Sequence, residues 1–183
     1  VDFMAALAAA APSLPFYYYE IPTMTGLAIS PSEFLARAAD RIPNLAGLKF
    51  TNSNLMEYQL CRHLRDGAFD VVFGFDEMLL GGLAMGARGA VGSTYNFAAP
   101  IYQRLIAAFN RGDLESARQE QFRSVRLIQL LISYGFMGAA KATMKLVGVD
   151  VGPARLPSSS LSPEQTARLR TQLEELGFFE WIA

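Results

Sequence analysis

The sequence has little cysteine and histidine, and these shortages exclude several kinds of site. It contains one cysteine, Cys61, and one histidine, His63, among 183 residues. A lone cysteine forms no disulfide within the chain, so we expect a buried, unreactive thiol and a reducing compartment, the cytoplasm. Asp76 and Glu77 are adjacent carboxylates with no histidine nearby. Such a pair makes a poor metal site, and we expect no metal ion.

Charge is also sparse. Charged residues make up 18% of the chain and the formal net charge is −1. Aromatic residues are not interleaved with lysine or arginine clusters, so we expect neither nucleic acid nor an acidic membrane as a partner.

No apolar run approaches the roughly 18 residues that a membrane span requires. The alanine-rich start lacks the basic leader of a signal peptide, and we interpret it as the tail of a longer helix.

Strand-like and helix-like segments alternate through the first half of the sequence. The predicted strands are 15–19, 45–50, 69–73 and 89–92, and the predicted helices between them are 31–41, 54–65 and 76–85. This rhythm predicts an α/β fold with a parallel sheet covered by helices. Beyond Pro100 the pattern becomes helical, over 101–110, 114–134, 139–147 and 163–176, with a Gly/Pro/Ser-rich linker at 148–160.

Lys49 is a charged residue inside an apolar strand. Between Leu48 and Phe50, burial disfavours the ammonium form and favours a free amine that attacks carbonyl groups. This pattern is typical of a Schiff-base lysine. The alternative is an edge-strand lysine whose ammonium group reaches water.

Polar residues follow the predicted strands where each one ends. The carboxyl ends of parallel strands form the rim that binds ligands, so we expect these residues to converge there: Tyr19, Lys49, Thr51, Gly74, Asp76, Glu77 and Ser93. Each has a simpler interpretation. Tyr19 is also typical of an aromatic at the edge of a core, and Asp76 and Glu77 of the first turn of a helix. Gly92-Ser93-Thr94 lacks the lysine that follows in a phosphate loop.

Four ordered motifs carry a resemblance to a known family. They are Phe16-Tyr17-Tyr18-Tyr19-Glu20-Ile21-Pro22, Gly47-Leu48-Lys49-Phe50-Thr51, Phe73-Gly74-Phe75-Asp76-Glu77 and Gly89-Ala90-Val91-Gly92-Ser93-Thr94-Tyr95-Asn96. With Gly152-Pro153-Ala154-Arg155-Leu156-Pro157 near the end, the sequence resembles the N-acetylneuraminate lyases (sialic acid aldolases). These belong to the class I aldolase superfamily that includes dihydrodipicolinate synthase.

The resemblance implies a TIM (β/α)8 barrel of which this chain holds about the C-terminal half. Residues 1–112 would form that half-barrel and residues 113–183 a helical extension. The family's Gly-Ser/Thr-Thr-Gly-Glu loop, which holds the pyruvate carboxylate, does not occur in the sequence. A catalytically silent half-barrel that associates through open strand edges is therefore an alternative to an active enzyme.

The resemblance also implies roles for the rim residues. Lys49 would form the imine with the substrate ketone, and Tyr19 would move a proton at the C4 oxygen. Thr51 would orient the substrate and Gly74 would let the backbone approach the sugar. Asp76, Glu77 and Ser93 would bind the hydroxyls of its tail. No organic cofactor is implied, and relatives are commonly homotetramers.

Two positions bear on this resemblance. Glu20 stands where relatives usually carry Asn or His, and its carboxylate would alter the local hydrogen bonds or the nearby tyrosine. Thr23-Met24-Thr25 lacks the arginine with which dihydrodipicolinate synthases bind a second carboxylate. That favours cleavage of N-acetylneuraminate to pyruvate and N-acetylmannosamine. Another pyruvate-dependent aldolase or hydratase of the superfamily is the alternative.

Overall fold

The computed structural model describes the whole chain, residues 1–183. Three strands form a parallel sheet in the order β1-β2-β3: β1 (Phe16–Glu20), β2 (Leu45–Phe50) and β3 (Asp70–Phe73). The helices are α1 (Asp2–Ala9), α2 (Pro22–Thr25), α3 (Pro31–Ala38), α4 (Leu55–His63), α5 (Leu79–Ala84), α6 (Tyr95–Asn110), α7 (Leu114–Ser133), α8 (Phe136–Leu146), α9 (Pro163–Leu176) and α10 (Phe178–Ile182). Short 3₁₀ turns lie at Leu64–Gly67 and Asp76–Met78.

Side-chain caps start three of the predicted helices where the sequence places them. The Ser30 hydroxyl accepts from Glu33 N (3.1 Å) before α3, and Asn54 Oδ1 accepts from Glu57 N (3.2 Å) before α4. Ser162 forms a capping box before α9. Each cap satisfies an amide that the first helical turn leaves unbonded. These local signals explain why α3 and α9 begin at the predicted residues 31 and 163, and why α4 begins at residue 55, one after the predicted residue 54.

One face of the sheet is buried beneath α3 and α4. Phe50 and Phe73 are fully buried, and each packs edge-on against Tyr58 of α4, with ring centroids 5.2 and 5.4 Å apart. Tyr58 also donates to Val71 O (3.1 Å). Burial of each such side chain contributes about 1.5–3 kcal/mol. This face is the core on which the strands are held.

The predicted fourth strand, 89–92, is reduced to a single parallel bridge. Phe73 N donates to Gly89 O and Val91 N donates to Phe73 O, both at 2.9 Å, so Ala90 pairs with Phe73 alone. A segment with one paired residue is not a strand, so that prediction was wrong in element type. It was right that this segment runs parallel to β3.

The helices after residue 92 pack around α6 and α7. Helix α6 begins six residues before the predicted start, crossing Pro100 with a non-helical residue at Ala98. Proline lacks the amide that would continue the ladder, and the helix bends there rather than ending. Arg104 of α6 makes two hydrogen bonds to Glu120 of α7 (both 3.1 Å) and one to Trp181 O of α10 (2.8 Å).

The chain divides into two compact units that interleave in sequence. The sheet unit comprises residues 1–75 and 81–91, and the helical unit comprises residues 76–80 and 92–183. The division of the chain at residue 112, which came from the resemblance, stays a prediction. No helix combines the length and the hydropathy needed to cross a membrane.

Candidate active site

Lys49 and Tyr19 lie side by side on the open face of the sheet. They are partners in the parallel register of β1 and β2, and Lys49 Nζ lies 4.2 Å from the centroid of the Tyr19 ring. A cation over an aromatic face is attracted by the ring quadrupole. Tyr19 is 47% exposed and Lys49 is half-buried. The amine and the phenol are therefore next to each other and open to a ligand.

The strand order bears on the alternative interpretation of Lys49. Because β2 lies between β1 and β3, Lys49 is on the central strand of the sheet and not on an edge. A snorkelling edge-strand lysine is therefore the wrong description of its position.

Thr51 and Gly74 meet at the carboxyl ends of β2 and β3. Thr51 N donates to Glu20 O (2.9 Å) and Gly74 N donates to Phe50 O (2.7 Å). A Cβ at position 74 would overlap Thr51 Oγ1 and lie 2.9 Å from Phe50 O, so only glycine fits there. Thr51 is buried, and its hydroxyl has no hydrogen-bond partner in the protein. Packing alone thus explains Gly74, whereas the Thr51 hydroxyl retains its bonding capacity.

Asp76 belongs to the helical unit, where the residue is 5% exposed and its carboxylate is held by other residues. Oδ2 accepts from Thr94 N (2.9 Å) and from Thr94 Oγ1. Thr94 Oγ1 also bonds the Tyr102 hydroxyl, which lies 2.8 Å from Ser124 Oγ. Ser124 Oγ donates a hydrogen bond to the Asp76 carbonyl oxygen (3.2 Å), which closes the set. We call this closed set of Asp76, Thr94, Tyr102 and Ser124 the Asp76 ring.

The Asp76 ring contains the residues that sequence reasoning missed. Thr94 is next to Ser93 in the quoted motif, but it was not assigned a role. Tyr102 and Ser124 are polar residues on buried faces of α6 and α7, 26 and 48 positions after Asp76. A polar residue at a buried helical position was the available signal. The hydrogen-bond partner of such a residue could not be predicted from spacing along the sequence.

Glu77 and Ser93 have more open surroundings in the same unit. Burial raises the pKa of the Glu77 carboxyl, and the charge of Asp76 raises it further. Ser93 is exposed at a cavity of about 270 Å³, which is also lined by Asn96, Met137 and Lys141. Asn96 Nδ2 donates to the Ser93 carbonyl (2.9 Å). Ser93 is therefore exposed, and Glu77 is half-buried.

The remaining titratable groups do not form a metal centre. No group of three or more His, Cys, Asp or Glu side chains is arranged to hold a metal ion. Burial raises the pKa of the Cys61 thiol to about 12, which keeps it protonated and unreactive. Tyr95 has a buried hydroxyl with no hydrogen-bond partner, and burial raises its pKa.

Comparison with known proteins identifies the family. Residues 1–176 match the model of the dihydrodipicolinate synthetase family. The chain belongs to this family. Mouse N-acetylneuraminate lyase is 44% identical over 97% of this chain and 57% of the mouse protein. These matches confirm the family that the sequence motifs indicated.

Solved structures of the dihydrodipicolinate synthetase family agree with the fold. The N-acetylneuraminate lyase of Aliivibrio salmonicida matches with a TM-score of 0.92 and 45% identity, over 97% of this chain and 59% of that one. The Ruminococcus gnavus sialic acid aldolase catalytic lysine mutant matches with a TM-score of 0.85 and 25% identity, over 98% and 59%. The chain thus contains part of the family's TIM (β/α)8 barrel and spans less than two thirds of these relatives.

Proposed function

We propose that the protein acts as a class I aldolase that cleaves N-acetylneuraminate to pyruvate and N-acetylmannosamine. The observation that carries the proposal is the Lys49 amine 4.2 Å from the Tyr19 ring on the open face of the sheet. The names of the mouse and A. salmonicida relatives support the choice of substrate. The R. gnavus structure is that of a catalytic lysine mutant, which supports lysine chemistry in the family.

The two residues supply complementary chemistry. The Lys49 amine attacks the C2 ketone of the open-chain sugar, and loss of water leaves a protonated imine. The bond between C3 and C4 then breaks, and its electron pair moves into the imine to give an enamine. Tyr19 relays the proton of the C4 hydroxyl as the aldehyde forms: its oxygen accepts that proton while its own hydroxyl proton passes to water. Protonation of the enamine at C3 and hydrolysis release pyruvate and restore Lys49.

The other predicted residues are assigned to substrate binding in the same proposal. Thr51 follows Lys49 by two residues on the same strand face, and its unpartnered hydroxyl supports a contact with substrate. Gly74 keeps the backbone close to that hydroxyl. Ser93, which is exposed, and Glu77, which is half-buried, receive the polar tail of the sugar. Asp76 is assigned to the hydroxyls of the same tail, as the resemblance implies.

A second candidate is a half-barrel that is catalytically silent by itself. Its support is the open sheet, in which Tyr17 and Tyr19 are 40% and 47% exposed and β1 and β3 lie at the edges. Imine formation needs the ketone held near the amine, and a site that holds it loosely gives little rate.

Trapping with pyruvate and borohydride tests both candidates. The chain contains three lysines, Lys49, Lys141 and Lys145, so peptide mapping assigns an adduct without ambiguity. The aldolase proposal predicts a reduced pyruvate adduct on Lys49, with Lys141 and Lys145 as internal controls and Lys49→Arg as the matched variant. Equal labelling of all three lysines contradicts a dedicated amine. No labelling favours the silent half-barrel, and trapping on a chain extended to the relatives' full length then decides.

A substrate panel separates the aldolase from its superfamily neighbours. Cleavage of N-acetylneuraminate supports the proposal. Turnover of other 2-keto-3-deoxy acids, with none of N-acetylneuraminate, would reverse the assignment in favour of another pyruvate-dependent aldolase or hydratase.

We also propose that the enzyme works in the cytoplasm as a homotetramer. The buried, unreactive Cys61 thiol is in keeping with a reducing compartment. Phe122 and Ile132 of α7 are 63% and 60% exposed, and exposed apolar side chains on one helix support contact with another copy. Sedimentation velocity measures the assembly directly, and a monomer at all concentrations would count against it.

A further inference from the structure

Glu20 is a buried carboxyl at the last residue of β1. It is 3% exposed, and its side chain points to the opposite side of the strand from Tyr19. Asn52 Nδ2 donates to Oε1 at 2.9 Å, and Oε2 has no partner in the protein. Burial raises the pKa of the carboxyl, Asn52 and the Thr51 backbone lower it, and the charge of Glu57 raises it. A buried carboxyl is costly to keep, so this position calls for an explanation.

The Asn52 amide connects Glu20 to the starts of two helices. Asn52 Oδ1 accepts from Asn54 N (2.9 Å), and Asn54 caps α4 through Glu57 N (3.2 Å). Glu57 Oε2 accepts from Ser32 Oγ (2.8 Å) and Ser32 N (3.3 Å) in the first turn of α3. A continuous set of hydrogen bonds therefore links the end of β1, the loop after β2 and the α3 start behind the sheet.

Glu20 also binds the loop after β2 through its backbone. Its carbonyl accepts from Thr51 N at 2.9 Å, directly after the Tyr19 and Lys49 pair in the register. The main chain and the side chain of Glu20 thus hold two consecutive residues, Thr51 and Asn52. Both attachments lie within three residues of Lys49.

We propose that Glu20 is a positioning residue for Lys49: its carboxyl holds Asn52 and thereby fixes the loop that sets the Lys49 amine against the Tyr19 ring. The consequence for reaction rate rests on the aldolase function proposed above, whereas the geometric consequence does not. Displacement of a reacting group by about 1 Å is enough to lower a rate on the order of 100-fold.

A spectroscopic experiment on the 183-residue chain tests the geometry without using activity. Reductive methylation with ¹³C-formaldehyde gives three dimethyl-lysine signals, for Lys49, Lys141 and Lys145. The Tyr19 ring current shifts the Lys49 signal upfield. In Glu20→Ala and Asn52→Ala we expect that shift to fall by at least about half, while the signals of Lys141 and Lys145 stay in place. Glu20→Gln keeps the acceptor for Asn52, and we expect it to keep the shift.

Two further variants, which exchange the carboxyl and the amide between positions 20 and 52, control for variants that do not fold. Asn52→Asp sets two carboxylates against each other, and we expect a weakened shift. The double variant Glu20→Gln/Asn52→Asp restores a hydrogen bond of opposite direction and, by the proposal, restores the shift. A Lys49 signal unchanged in Glu20→Ala, or no rescue in the double variant, would overturn the positioning role.

Trapping with pyruvate supplies the second readout. We expect Glu20→Ala to lower the trapping rate at Lys49 at least about 10-fold and Glu20→Gln to remain within about 3-fold of the parent chain. If the parent chain shows the upfield Lys49 signal but no trapping, the result favours the silent half-barrel, the full-length chain decides the aldolase proposal, and the positioning proposal stands. If trapping occurs but the Lys49 signal is the same in Glu20→Ala as in the parent chain, only the positioning proposal fails.

Discussion

The sheet unit and the helical unit each contain a buried polar cluster, and the two clusters differ in how completely they are bonded. In the Asp76 ring, hydrogen bonds run from the carboxylate through three hydroxyls and back to the carbonyl of the same residue. Around Glu20 and Thr51, two buried oxygens, Glu20 Oε2 and Thr51 Oγ1, have no partner in the protein. Burial alone therefore does not distinguish a polar residue that holds the fold from one with bonding capacity left for a ligand.

The largest effect should come from breaking the Asp76 ring by steric overlap. A Cβ at Gly92 would overlap Asp76 Oδ1, so Gly92→Ala must displace the carboxylate from Thr94. We expect a loss of about 3 kcal/mol or more in the free energy of unfolding, because a buried charged group then loses its donors. Urea denaturation measures it. Gly81→Ala is the matched control, since its Cβ would have ordinary contact with Leu55 at 3.8 Å.

A pair of tyrosine variants compares a buried hydroxyl that is hydrogen-bonded with one that is not. We expect their free energies of unfolding to differ by about 1–2 kcal/mol. Tyr102→Phe removes a hydroxyl that bonds Thr94 and Ser124, and we expect it to destabilise the protein by that amount. Tyr95→Phe removes a buried hydroxyl without a partner, so it should be neutral or stabilising. Thermal melts of the two variants provide the measurement. Because each substitution keeps the ring and removes only the hydroxyl, equal losses would show that the hydrogen bonds of Tyr102 do not add to stability.

The smallest effect should be a pH dependence that belongs to the sheet unit. The pKa of Glu20 is raised in the folded state, so folding favours its protonated form. Its contribution to stability is therefore full below the unfolded-state pKa and is lost as the pH rises through the raised value. In Glu20→Gln we expect this part of the pH profile of unfolding to disappear. A profile that is unchanged in the variant would mean that other carboxyls, Glu77 among them, account for the slope.

Local signals predicted the elements that local chemistry determines. The bounds of β2 follow from its apolar run, and the starts of α3, α4 and α9 follow from their capping residues. The pairing of Lys49 with Tyr19 was also within reach, because side chains in adjacent parallel strands alternate in step. These features depend on neighbours in sequence or on one strand pairing.

Long-range packing determined what the sequence did not reveal. The segment 89–92 pairs through Ala90 alone, and only its neighbours in the fold limit it to a bridge. Helix α10 follows a left-handed corner at Gly177, and its Phe178 is buried near Phe97, with ring centroids 6.5 Å apart. The partners of Asp76 come from separate helices. In each case, contacts distant in sequence override local preference.

The only tryptophan of the chain, Trp181, lies in the helical unit, with the guanidinium groups of Arg123 and Arg126 at 5.5 and 5.7 Å from its ring. Its fluorescence is therefore an optical probe of that unit alone. The sheet contributes to far-ultraviolet circular dichroism but carries no indole. Coincident transitions by the two signals would show that the two units unfold in one cooperative step, and separate transitions would resolve the stability of each.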